Sequence, residues 1–317
     1  MLAHPLALMG YSILGASILA GLSSLASFST WVFMEVNFMA LMAVILPQGT
    51  RNSTAPNIAY FLVQGFASAA ILMSIAHGIM AASASFVPFL FFLVKLGSAP
   101  VHFWLVSVIQ HSSWHAIFLF SAVQKAFPLI FLSQFESSLP SGMLNFAIVA
   151  NILVAILSSL NLDDLKLILA FSSVFNTSWF LISLYAPFSA LLNFFGAYAL
   201  ALMLLTAYSH FLGAGGIGTS TCTLAPLPAF FFMALVLSVA GFPPSLLFWA
   251  KIELIFSTLY AFPAAFVLTS AGILFLIYIR SFAPALVSAA PGTLTSSPIP
   301  LFVPTFALAS WLPVLFF

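Results

Sequence analysis

Charge is the scarcest thing in this chain. Only 3% of its 317 residues are charged, six basic and five acidic, while 63% are hydrophobic; an ordinary soluble domain is about 25% charged. Such a balance excludes a large aqueous domain, and a formal net charge of +1 excludes the basic footprint of a nucleic-acid binder. Cysteine occurs once, as Cys222, so no disulfide can close within the chain. No Cys/His spacing suits zinc, an iron–sulfur cluster or haem attachment. Neither GxGxxG nor a Walker motif is present, so nothing cradles a nucleotide. A basic N-terminal region followed by a small-residue cleavage site is also missing, and the first apolar run is expected to be a retained helix.

What remains is a succession of apolar runs of the length a bilayer demands, about 20 residues for a hydrocarbon core about 30 Å thick. Barrel strands would alternate polar and apolar positions, and these runs do not, so the fold class is an all-α integral membrane protein. Breaks rich in Gly, Pro, Ser, Asn or charge divide the chain into about eleven transmembrane helices. They are expected at 5–25, 29–47, 55–78, 83–105, 114–134, 142–160, 164–185, 188–213, 226–258, 261–284 and 299–316. Short linkers make residues 1–317 a single helical domain, with halves near 29–185 and 188–316. Two spans are interrupted: "KLGSAPVHFW" carries Gly97 and Pro100, and "GFPPSLLFWAK" carries Pro243 and Pro244. Each interior proline removes a donor and frees the carbonyl four residues earlier, which in lipid must find another partner. Paired interrupted segments in two halves of a chain point to a transporter-type site at the bilayer midplane.

Charges this rare can be weighed one by one. Glu35, Lys95, Lys125 and Lys251 fall well inside expected spans, and a lone lysine at a helix centre costs roughly 2.5–3.5 kcal/mol. Lys95 and Lys251 both lie beside a broken helix, where freed carbonyls and trapped water can solvate an ammonium. An ammonium out of water holds its proton less tightly and a nearby carboxylate opposes that, so a Glu–Lys pair is a natural proton switch. Glu35 is the one acid available for it early in the chain, since Glu253 is only two residues from Lys251 and faces elsewhere on a helix. Arg51, Arg280 and Glu136 sit near span ends and read as snorkelling or local pairs. Asp163 and Asp164 read as a helix-start cap beside Lys166, although Lys166, one turn in, can still face a polar interior. His102 follows the first break closely and is a candidate relay group, whereas His111 and His115 read as buried structural histidines.

These residues resemble a known family, the mitochondrially encoded chain 2 of NADH–ubiquinone oxidoreductase, respiratory complex I. The carrying motifs are "FMEVNFMAL" around Glu35, "KLGSAPVHFW" from Lys95, "QKAFP" around Lys125, "DLKLILAFSSV" from Asp164 and "GFPPSLLFWAK" ending at Lys251. The resemblance implies a proton-translocating subunit of the membrane arm, with antiporter-like inverted repeats and two broken helices, in the mitochondrial inner membrane. It places the family's glutamate–lysine pair on Glu35 and Lys95, its central lysine on Lys125 and its distal lysine on Lys251. It implies no cofactor in this chain, with NADH, FMN, iron–sulfur clusters and ubiquinone handled by other subunits. Partners would be other membrane-arm subunits, including neighbouring antiporter-like chains, together with membrane lipids and no nucleic acid. The chain departs from the pattern at Asn176, where the family often has histidine, at Ser107, usually acidic, and at Lys166, which stands alone where two basic residues are common. A stand-alone proton-coupled secondary transporter is the alternative, since broken helices and buried charges suit it as well.

Overall fold

The computed structural model describes residues 5–24, 26–48, 53–78, 86–135, 139–160, 162, 164–212, 226–243, 245–258, 271–273, 276, 278 and 280. Expectations for Arg51, Glu136, Asp163, Cys222 and Pro244, for the last span and for most of the one before it lie outside these residues. Among the described residues every regular element is helical. Seven of the helices are long and apolar enough to cross a membrane, as a chain that must satisfy its backbone without water requires.

Contacts divide the chain into two compact units, 1–151 and 152–317. In the first, α1 (Pro5–Ser23) packs along α2 (Ser27–Ile45). Next, α3 (Thr54–Ala76) packs against both halves of the first broken span, α4 (Phe86–Leu96) and α5 (Phe103–His111). The span expected at 114–134 is continuous but not uniform. A short α6 (Trp114–Phe118) passes through a π-helical turn at Leu119–Val123 into α7 (Gln124–Gln134), which packs on α1, α2 and α4. Pro128 lies inside α7 and cannot bond back to Gln124, one recognised reason for a helix to loosen upstream. The next helix, α8 (Ser141–Ser159), straddles the division between the units.

In the second unit, α9 (Leu165–Ser183) is buried along nearly its whole length, and α10 (Phe188–Phe211) packs beside it. The interrupted span 226–258 resolves into α11 (Pro226–Ala240) and α12 (Leu246–Ser257), with α12 packed on α9, α10 and α11. Burying so many hydroxyls on α9 is tolerable because they turn back onto their own helix: Ser172 donates to the Leu169 carbonyl, Thr177 to Ser173 and Ser178 to Phe175. The expected cap at Asp164 is present in position only. Its backbone occupies the N-cap of α9, but its side chain makes no capping hydrogen bond.

Candidate functional site

Both helix breaks start with the same backbone device. In the first, Gly97 takes φ +67°, its N–H bonds the Val94 carbonyl at 3.1 Å, and the Ser98 N–H bonds the Leu93 carbonyl at 2.9 Å. In the second, Gly241 takes φ +80°, its N–H bonds Ser238 at 3.1 Å, and the Phe242 N–H bonds Leu237 at 3.1 Å. This pair of bonds around a left-handed glycine is a Schellman cap, which ends a helix without stranding its last carbonyls. What each break does with the groups still unpaired differs, and that difference shapes the two charged sites.

At the first break, side chains from three other elements bond the backbone. Gln64 of α3 donates to the Lys95 carbonyl at 3.4 Å, and Trp104 of α5 donates to the Val94 carbonyl at 3.1 Å. Asn151 of α8 accepts from the Ala99 N–H at 2.6 Å and from the Ser98 hydroxyl at 3.0 Å. Lys95 is thereby left to use its ammonium elsewhere, and it reaches Oε1 of Glu35 on α2 at 3.1 Å. The lysine is 5% exposed. Glu35, expected well inside a span, keeps 21% side-chain exposure. Beside the pair, Tyr60 packs against Phe38, Trp104 and Phe120, and its hydroxyl has no hydrogen-bond partner among the described residues.

Lys125 is 2% exposed and stands in the first turn of α7, just past the π-helical turn. The preceding residue, Gln124, donates to Oδ1 of Asn37 at 2.9 Å, and Asn37 in turn donates to the Ser17 hydroxyl at 2.9 Å. A line of uncharged polar groups thus runs from α1 through α2 to the residue beside Lys125, with Asn37 two positions from Glu35. Counting charges alone overlooks this line. An amide inside an apolar run, as in "MEVNFM" or "VQKAFP", is the available signal, because burying it without a partner is costly.

In the second unit Lys251, also 5% exposed, makes no carboxylate pair among the described residues. Its ammonium crosses the break and donates to the Ala240 carbonyl at 2.9 Å, and it stands 5.2 Å from the Trp179 ring centroid and 5.7 Å from that of Phe175. A cavity of about 270 Å³ adjoins it, lined by Trp179, Gly241, Phe242 and Phe248 among others. Two neutral interactions thus replace a counterion: a carbonyl at a helix end and the faces of two aromatic rings. Glu253 turns outward as its spacing demands and accepts from Asn193 instead.

The other candidate residues occupy varied settings. His102 is buried at the start of α5, with its ring 4.4 Å from that of Phe103. Lys166 is half-buried in the first turn of α9, about 14 Å along the helix from Phe175 at 1.5 Å per residue. Asn176, where the family often has histidine, donates to the Ser172 carbonyl at 3.0 Å, and its Oδ1 has no partner among the described residues. His111 and His115 are exposed rather than buried: His111 bonds the Ser107 carbonyl at 2.8 Å and His115 contacts the Tyr11 hydroxyl at 3.3 Å. Short α5 and α6, joined by a tight corner, turn both rings out. Among the described residues no three His, Cys, Asp or Glu side chains gather as a metal site.

Comparison with known proteins gives a consistent answer. Residues 77–276 match the family described as NADH:quinone oxidoreductase/Mrp antiporter, TM. The chain is 31% identical over 224 residues to NADH-ubiquinone oxidoreductase chain 2 of Artemia franciscana, covering 70% of each protein. Its fold resembles a chain in respiratory complex I from Thermus thermophilus with bound Aureothin, at TM-score 0.72 and 20% identity, covering 94% of this chain and 74% of that one. It also resembles a chain of the Mrp complex from a Dietzia species, at TM-score 0.71 and 19% identity, covering 91% and 60%. Interrupted helices, buried lysines and these matches agree, and the chain belongs to the antiporter-like NADH-ubiquinone oxidoreductase chain 2 family.

Proposed function

We infer that this chain is a proton-translocating membrane-arm subunit of an NADH:ubiquinone oxidoreductase, placed in the mitochondrial inner membrane. NADH oxidation and quinone reduction belong to other subunits of the same assembly, which hold the flavin, the iron–sulfur clusters and the quinone, and this chain binds none of them. The observation that carries the reading is the 3.1 Å Lys95–Glu35 pair, joined across α4 and α2 directly before a helix break. A buried pair with one partner near the protein's edge has two states. With Glu35 ionised the ammonium is held, and with Glu35 protonated or displaced it is released to pass charge inward.

Lys125 receives that change. It lies on α7, which packs against the helices of both members of the pair, and the Asn37–Gln124 bond gives those helices a polar seam that water can share. Lys251 is the distal exchange group, able to leave the Ala240 carbonyl for the adjoining cavity. His102 and Lys166 serve as accessory relay groups, His102 beside the first break and Lys166 at the start of α9. Moving one charge through 100 mV takes about 2.3 kcal/mol, a scale that rearrangement of a buried ion pair matches when driven from outside the chain.

The alternative of a self-contained proton-coupled transporter is separated by one experiment. A mild-detergent membrane extract is run on a native gel, the chain is located by mass spectrometry, and the same band is stained for NADH dehydrogenase. Comigration with a very large active assembly is expected. Migration as a small inactive species, with other respiratory complexes intact, overturns the assignment.

A further inference from the structure

Glu253 has no place in the relay, and its position demands an explanation of its own. It lies on the outward face of α12 with Trp249 and Phe256, which are 41% and 71% exposed. Across from it α10 presents Leu192, Leu200 and Met203, all exposed. In this apolar belt the Asn193 amide stands 3.2 Å from each carboxylate oxygen. One neutral amide orients the carboxylate, no cation pairs with it among the described residues, and an uncompensated charge facing hydrocarbon is strongly disfavoured.

The surface around the carboxylate is concave. A crevice of about 480 Å³ opens here, and Gly196, Ala197 and Ala250 line it beside Trp249. A Cβ added at Gly196 would meet nothing within 4 Å, so the glycine faces open space rather than a packed neighbour. Small residues at the floor of such a groove let a second helix approach closely, the usual basis of helix association in lipid. Lys251, the nearest cation in sequence, is turned inward to Ala240.

We propose that the Glu253–Asn193 crevice is a docking surface for a transmembrane helix of a neighbouring subunit that presents a lysine or arginine to Glu253. Complementarity selects this occupant: the groove supplies room for a helix, and among the described residues that line it Glu253 alone is charged. Asn193 fixes the carboxylate so that the incoming cation meets it in one orientation. The proposal rests on the multisubunit reading above.

The intact assembly in native membranes is treated with dicyclohexylcarbodiimide, which converts a carboxyl to an O-acylisourea. An amine in contact displaces the urea and forms an amide; with no nucleophile present the adduct rearranges to an N-acylurea. Peptide mass spectrometry then reads Glu253. The expected result is little acylurea in the intact assembly and several-fold more after dissociation into single chains, with an amide cross-link to another chain where the facing cation is lysine. Equal labelling in both samples, or an amide to an ethanolamine phospholipid, overturns the proposal. Glu253→Lys should release the neighbouring subunit on a native gel, and normal assembly of that variant also overturns it. If the untreated chain migrates alone, it is the multisubunit reading that fails; if it is assembled yet labelled at Glu253, only the docking surface fails.

Discussion

Replacing Gly241 by alanine separates the role of the Lys251 ammonium from that of the helix break that holds it. Gly241 has φ +80°, where an alanine costs roughly 1–2 kcal/mol. Its new Cβ would lie 2.7 Å from Nζ of Lys251, 3.1 Å from Cε and 3.2 Å from Cδ. The nearest atom is the tip of a flexible side chain, so the clash is relieved by moving the ammonium away from the Ala240 carbonyl. A hydrogen bond to a charged group is worth about 1.5–3 kcal/mol, so Lys251 leaves its docked position by a factor of roughly 10–150. The assay is proton pumping by the purified assembly in liposomes, as protons moved per NADH oxidised, with assembly followed on native gels. Gly241→Ala should retain assembly and lower that ratio. Adding Lys251→Met to it should cause little further loss, because both substitutions remove one interaction. Normal pumping by Gly241→Ala, or full additivity in the double variant, would refute the reasoning. Gly97→Ala is the control: its Cβ would strike Leu105 at 2.8 Å and Trp104 at 3.2 Å, both packed in the core, so it should lower assembly itself.

Three further outcomes follow from the first unit. Lys125→Met should reduce the proton-to-electron ratio while assembly is preserved, and an assembled variant that pumps normally removes Lys125 from the relay. Glu35→Gln should slow coupled quinone reduction, and unchanged turnover would count against the switch. Asn151→Ala strands the Ala99 N–H in a buried break and leaves the Ser98 hydroxyl only a 3.4 Å bond to the Ala99 carbonyl, at about 1–3 kcal/mol for an unsatisfied group; thermal denaturation of the assembly should show the loss, and an unchanged midpoint would show that the break finds other partners.

Most of the fold was legible because hydrocarbon imposes one rule. A backbone without water must be helical, and the described helices end within a few residues of the expected spans, except that the first broken span, expected to end at 105, runs on through α5 to His111. The second break was legible as a place where a freed carbonyl could meet an ammonium, and Lys251 bonds the Ala240 carbonyl there. At the first break the expected Glu35–Lys95 pair is formed, while the Lys95 carbonyl goes to Gln64. With charges this few the partner of an ammonium can be named from the sequence, whereas the backbone's partners, Gln64 and Asn151, come from distant helices that no local pattern announces. The exposure of His111 and His115 was hidden for a related reason, since the corner between α5 and α6 decides where they point and histidine suits either setting. The amides of Asn37, Gln124 and Asn151 went unread because a neutral side chain adds nothing to a charge count, although burial makes its bonding nearly as obligatory.

The two capped breaks leave their lysines with different kinds of counterion. Lys95 faces a carboxylate, which a single proton can neutralise. Lys251 faces the carbonyl end of α11, where aligned peptide dipoles amount to roughly half a negative charge, and that fraction is permanent. No proton binds it and no side-chain rotation removes it. The first lysine can therefore be freed by a proton at its partner, whereas the second can be freed only by a change at the lysine itself; on the relay proposed above, control would enter at the Glu35 end.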